Sequence, residues 1–184
     1  MITAEQINAV LSSHDRREIR NPALRRAAVL ILLFSKGEEL HFLLTRRTQD
    51  VEHHKGQISF PGGSEDAGDH DIIETALRES EEEIGLPRTV VRVLGLFDDY
   101  ETPSGFAITP VVGYVPELPQ LKLNTIEVTE TLEVPVALFA SSANERVEQR
   151  QIRGKLHDVY FYRYGEHEIW GATAAMIRSF LQAL

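Results

Sequence analysis

Ala27 to Phe34 reads Ala-Ala-Val-Leu-Ile-Leu-Leu-Phe, with Arg25-Arg26 before it and Ser35-Lys36-Gly37 after it. The run is far short of the roughly 20 apolar residues that cross a membrane, and it has the length of a strand. Since it does not alternate, it reads as a strand buried on both faces. The chain of 184 residues, 42% of them hydrophobic, is long enough to build a core around such a strand as one domain, residues 1–184. Lys and Arg number 19 against 28 Asp and Glu, a formal charge of -9. That balance argues against general nucleic-acid binding, because phosphate backbones reward a basic surface. The absence of cysteine leaves no disulfide framework or thiolate chemistry, and Met-Ile-Thr-Ala-Glu-Gln has no secretory pattern. The expectation is a cytoplasmic protein with no membrane partner.

Punctuation divides the rest. Thr3 to Ser12 has helical spacing at Ile7, Val10 and Leu11, and a charged link leads to residue 25. His41 to Arg46 reads as the hairpin partner of the apolar strand, and Gln57 to Phe60 as a short strand stopped by Pro61-Gly62-Gly63. Asp71 with Glu74 predicts a helix start of capping-box type, Ile73, Ala76, Leu77, Ser80 and Ile84 its packed face, and Gly85-Leu86-Pro87 its end. Thr89 to Phe97 and Ala107 to Val115 read as strands, with Pro110 placing the second at an edge or bulge. Val134 to Phe139 reads as a chain entering a short helix. A hairpin around Arg153-Gly154-Lys155 and a helix over Ile169 to Leu184 complete the pattern. Strands mixed with helices, without regular βαβ alternation, predict an α+β sandwich.

The helix over 71–84 contains a contradiction. Glu79, Glu82 and Glu83 share its last turns, where like charges three and four apart cost about 0.2–0.5 kcal/mol each. The negative end of the helix dipole penalises them further, by roughly 0.3–1 kcal/mol each. Arg78 is the only counter-charge nearby in sequence. A divalent cation reverses every one of these terms, and three carboxylates on one face make the oxygen site that Mg²⁺ or Mn²⁺ prefers. The alternative is a solvated acidic face, where Glu81 belongs in either case.

Arg78-Glu79-x-x-Glu82-Glu83-x-Gly85-Leu86, preceded by Gly62-Gly63, resembles the signature of the Nudix hydrolases over residues 62–86. Ser80 stands at an apolar position of the pattern, His70 at that of its first glutamate, and Gly63 is one residue too far from Arg78. A longer loop of this kind, with acids at Asp66 and Asp69, is found in the coenzyme A pyrophosphatase subgroup. That subgroup also resembles this chain at Leu43-Leu44-Thr45-Arg46-Arg47, at His54-Lys55-Gly56-Gln57-Ile58-Ser59-Phe60-Pro61-Gly62-Gly63, and at Glu168-Ile-Trp-Gly-Ala-Thr-Ala174. It commonly has a basic residue where this chain has Glu52.

The resemblance implies a Nudix-like α/β/α sandwich with a mixed sheet, and Mg²⁺- or Mn²⁺-dependent hydrolysis of a diphosphate. Coenzyme A would yield 4′-phosphopantetheine and adenosine 3′,5′-bisphosphate. ADP-ribose or other nucleoside diphosphate derivatives are the alternative substrates, and a nucleotide-sensing module without catalysis is the rival of another class. Glu79, Glu82 and Glu83 would hold metal with the carbonyl of Gly63. Arg78 would orient a carboxylate, or simply pair with Glu74 as an i→i+4 partner. Glu127, with Glu130 as second choice, is the later-loop acid expected as ligand or base; exposed loop acids are the plain alternative. Arg46, Arg47 and Lys55 would meet the substrate's phosphates, with solvated side chains as the plain alternative, and His54 would bind substrate from its loop. Trp170, on an apolar helix stripe, is read as core rather than as a base-stacking residue. Dimers are frequent in the family, so a homodimer is among the implied partners.

Overall fold

The apolar run lies inside β1 (Arg25–Lys36), and every residue from Ala27 to Phe34 is buried. The computed structural model describes residues 2–48, 56–152 and 154–184. Alternate side chains of β1 enter two separate cores, as the period of a strand requires. Ala28, Leu30, Leu32 and Phe34 join Ile72, Ala76 and Ile84 of α2 (Ile72–Ile84). Val29, Ile31 and Leu33 join a second cluster with Ile7 and Leu11 of α1 (Ala4–Ser13) and Ile177 and Phe180 of α3 (Gly171–Ala183). Helices thus cover both faces of the sheet.

β1 pairs antiparallel with β2 (Glu39–Arg47) and β4 (Gly62–Ser64), and parallel with β7 (Phe106–Val115). β2 also takes β3 (Ile58–Ser59) and β8 (Val128–Pro135), while β7 takes β5 (Arg92–Leu96) and β6 (Tyr100–Glu101). One parallel pair among antiparallel ones makes the sheet mixed, and the whole is the expected α+β sandwich. A smaller sheet of β9 (Glu145–Ile152), β10 (Lys155–Tyr164) and β11 (His167–Trp170) stands beside it, in the order β11-β10-β9. Among the described residues, no helix is long and apolar enough to cross a membrane.

Several boundaries differ from expectation, each for a tertiary reason. Gly62–Ser64 is a strand rather than a stop, because Ala27 to Val29 offers it a free edge. Val128–Pro135 is a strand because the outer edge of β2 needs a partner. Ile169 and Trp170 belong to β11, and the last helix starts at Gly171. The fifth strand begins only at Arg92, after a 3₁₀ turn over Arg88–Val90. Pro110 sits in the interior of the sheet, between β1 and the β5–β6 side. Its carbonyl accepts Phe97 N–H at 2.9 Å. Its missing N–H therefore faces the break between β5 and β6, where no ladder bond is needed. The final hairpin is present as expected, although its turn residue Arg153 lies outside the described residues.

Candidate active site

The start of α2 is capped by Asp71, whose carboxylate accepts Glu74 N–H at 2.8 Å. Glu74 accepts His70 N–H rather than that of Asp71, so the reciprocal half of a capping box is shifted by one residue. At the far end Gly85 adopts φ 67° and its N–H caps Glu81 C=O. These two signals fix the helix frame, and with it the directions of the acids.

Glu83 is the deepest of them. It is only 2% exposed and lies with Ile72, Ala76 and Ser80 on the buried face of the helix. Its Oε1 accepts Arg47 Nη1 at 3.1 Å and its Oε2 accepts Gly62 N–H at 3.2 Å. Burial nevertheless pushes the carboxyl up to about 7; Arg47 and Gly62 oppose the shift, while Glu79 and Glu127 add to it. Burial also raises Glu79, with Arg78 opposing and Glu82 and Glu127 contributing. Ser80 is tolerated at its apolar position because its hydroxyl donates to Ala76 C=O at 2.7 Å.

The two glycines before the helix are required by close approach. A Cβ on Gly62, which holds φ 153°, would lie 2.2 Å from Ala28 O. A Cβ on Gly63 would lie 2.4 Å from the carboxyl carbon of Glu79. β4 thus passes directly against this carboxylate.

Arg78 does not pair with Glu74; Arg88 occupies that partner, at 3.5 Å. Instead Arg78 Nη1 donates to Glu79 at 2.8 Å and to Glu82 at 3.2 Å, and Nη2 donates to Ser64 C=O at 3.1 Å. Its other edge grips Asp69 through Nε at 2.8 Å and Nη2 at 3.0 Å. Asp69 also accepts from Thr75 Oγ1 and Asp66 N–H. Hydrogen bonds from Arg78 hold its carboxyl well below the usual carboxylate range. The displaced loop acid therefore performs the anchoring that His70 cannot, a partnership visible in sequence only as an acid at the longer loop's position.

Strand alternation separates the two arginines of β2. Arg47 reaches Glu83, whereas Arg46 pairs with Glu130 at 3.0 Å, so neither Arg46 nor Glu130 joins the acidic cluster. Glu127 does approach it and accepts Asn124 Nδ2 at 3.0 Å. Glu52, His53, His54 and Lys55 lie outside the described residues.

Arg47, Gly62, Gly63, Glu79, Glu83 and Glu127 line a cleft of about 1260 Å³. Phe106 and Ile108 of β7, residues of β10 and the start of α3 line it as well. Trp170 is half-buried at the end of β11, stacked on Phe161 at 5.8 Å, and it lines the cleft instead of a helix core.

The donor chemistry suits a hard divalent cation: carboxylates raised by burial, a main chain brought close by glycine, and no cysteine in the chain to supply a thiolate. As the side chains stand, no three acids or histidines among the described residues enclose an ion. Guanidinium groups occupy oxygens of all three glutamates, and the Glu82 side chain is 56% exposed.

A mixed sheet between helices, with a Gly-Gly strand laid against a carboxylate-bearing helix, is the architecture of a Nudix hydrolase. Residues 24–122 match the NUDIX domain, and the chain belongs to that family of enzymes acting on pyrophosphate bonds, which generally use divalent metal ions. It is similar to the uncharacterized Nudix hydrolase NudL of Photorhabdus laumondii, with 41% identity over 158 residues, 86% of this chain and 84% of that relative. The fold resembles a MutT/nudix family protein from Enterococcus faecalis (TM-score 0.56, 16% identity, 99% of this chain and 74% of that one). It also resembles an Ap4A hydrolase of C. elegans (TM-score 0.52, 18% identity, 62% and 82% covered).

Proposed function

We propose that this chain, acting as one domain, hydrolyses the diphosphate bond of coenzyme A and its derivatives with Mg²⁺ or Mn²⁺. The products are 4′-phosphopantetheine and adenosine 3′,5′-bisphosphate. The observation that carries the reading is the pair of inward carboxylates, Glu79 and Glu83, raised by burial and lining a cleft much larger than a diphosphate. Arg47 and Arg78 offset only part of the cost of burying these acids, and a divalent cation would offset more of it. The choice of coenzyme A rests on the Leu43-to-Arg47 and Gly56-to-Gly63 segments, which meet the same two carboxylates through Arg47 and Gly63.

Glu79, Glu82 and Glu83, with the carbonyl of Gly63, would hold the ions. When bound, these neutralise the diphosphate and generate a water-derived nucleophile near neutral pH. Arg78 orients Glu79 and Glu82, and Asp69 fixes Arg78. Asn124 holds Oε1 of Glu127, and this carboxylate would accept a proton from water. Arg47, with His54 and Lys55, meets the phosphates. A second reading, ADP-ribose or another nucleoside diphosphate derivative, draws on Trp170, an aromatic face on the cleft that any base can stack against, and on the name of the C. elegans Ap4A hydrolase.

Incubation with coenzyme A, ADP-ribose and a dinucleoside polyphosphate, with and without metal, tests both. Metal-dependent release of 4′-phosphopantetheine is expected. Glu82→Gln and Glu83→Gln should lower the rate by orders of magnitude while the fold persists. No turnover of coenzyme A with either metal overturns the proposal, and turnover of ADP-ribose alone favours the second reading.

A further inference from the structure

The cleft has a wall that the hydrolytic residues leave unused. β10 pairs with β9 along one edge, but with β11 only from Phe161 to Tyr164 along the other. At Gly171 the chain takes φ 66° and leaves the small sheet for α3, which Thr173 ties to Ile58 C=O at 3.1 Å. The edge of β10 from His157 to Tyr160 therefore stays open, and these residues line the same cleft as Glu79 and Glu83. Among the described residues no strand pairs with them on that side.

Strand parity tells which main-chain groups face the opening. β10 and β11 are joined by the two-residue loop Gly165-Glu166, closed by the facing pair Tyr164 and His167. In such a hairpin the closing pair exchanges both hydrogen bonds, and alternate residues direct N–H and C=O to the same side. Tyr164 and Tyr162 thus face β11; beyond its end, Asp158 points the same way into the cleft. Val159 and His157 point to β9. Tyr160, Trp170 and Met176 line the cleft beside this edge. An open strand edge is a row of donors and acceptors that takes up an extended chain.

We infer that the open edge of β10 at Asp158 binds the amide-bearing arm of the substrate through main-chain hydrogen bonds, much as an added strand would. The inference rests on the coenzyme A reading. The phosphopantetheine half carries two secondary amides on a flexible chain, whereas the adenosine half carries none. The alkyl segments between the amides suit the apolar side chains that flank the edge.

Asp158→Pro removes the N–H on the open side, where proline is compatible with an edge strand, while Asp158→Ala loses the same carboxylate but keeps the N–H. Calorimetric titration with 4′-phosphopantetheine is expected to give a Kd about fivefold weaker for the proline variant than for the alanine one. Adenosine 3′,5′-bisphosphate should distinguish the two variants by less than about twofold. An ester analogue of 4′-phosphopantetheine, with an amide N–H replaced by oxygen, probes the same edge through its C=O on the unaltered chain. It should bind about fivefold more weakly than the amide. Equal affinities in both comparisons, in a chain that turns over coenzyme A, overturn this inference alone. Failure to turn over coenzyme A at all overturns the underlying reading instead.

Discussion

Raising the pH of the metal-free protein from about 5.5 to about 8 ionises Glu83 inside the fold. Its carboxyl is displaced upward from 4.5 to about 7, chiefly by burial. An acid raised in this way holds its proton in the folded chain while the unfolded chain has already lost it. The resulting destabilisation is absent below the unfolded value, grows as pH climbs from 4.5 to about 7, and is complete above that. At 1.36 kcal/mol per pH unit of displacement the full effect is about 3 kcal/mol, of which about 2 kcal/mol falls between pH 5.5 and 8. For a chain of this length that is a fall in Tm of about 4–8 °C. Thermal unfolding in chelator at the two pH values measures it, with Glu83→Gln as reference, since an amide cannot titrate. The wild type should lose stability with rising pH more steeply than the variant, and Mg²⁺ at the higher pH should recover more of it in the wild type. Equal pH slopes in the two proteins would refute the reasoning, because burial of that carboxyl would then carry no cost.

Asp69→Asn keeps the side chain's shape but removes the charge that Arg78 grips. On the proposed function it should lower kcat/KM by about 10–100-fold, the loss expected when a group that orients metal ligands is removed; wild-type kinetics would show that Arg78 needs no anchor. Gly63→Ala would put a methyl 2.4 Å from the carboxyl carbon of Glu79. Turnover should fall at least about tenfold with circular dichroism unchanged, because the strand and the carboxylate cannot both keep their places; full activity would mean that this approach is not needed.

The central strand and the acidic helix were legible in the chain because both announce themselves locally. Eight apolar residues in a row demand cover on two faces, and Asp71 and Gly85 bound a helix whose period places Glu79 and Glu83 one turn apart. The Nudix pattern from Arg78 to Leu86 is likewise local. Long-range partners were not legible. Gly62–Ser64 has no side-chain pattern to mark it as a strand, and it becomes one only against β1. Arg46 and Arg47 look equivalent until the sheet sends one to Glu130 and the other to Glu83. His70 at the glutamate position says nothing of Asp69, which reaches Arg78 because the longer loop folds back. Residue order determined which groups exist and that the central strand and the acidic helix form, since backbone preference and hydrophobic period act over a few neighbours. Which carboxylates are buried, which arginine meets them and which strand edge stays open depended on pairings between distant segments, and tertiary packing alone decided those.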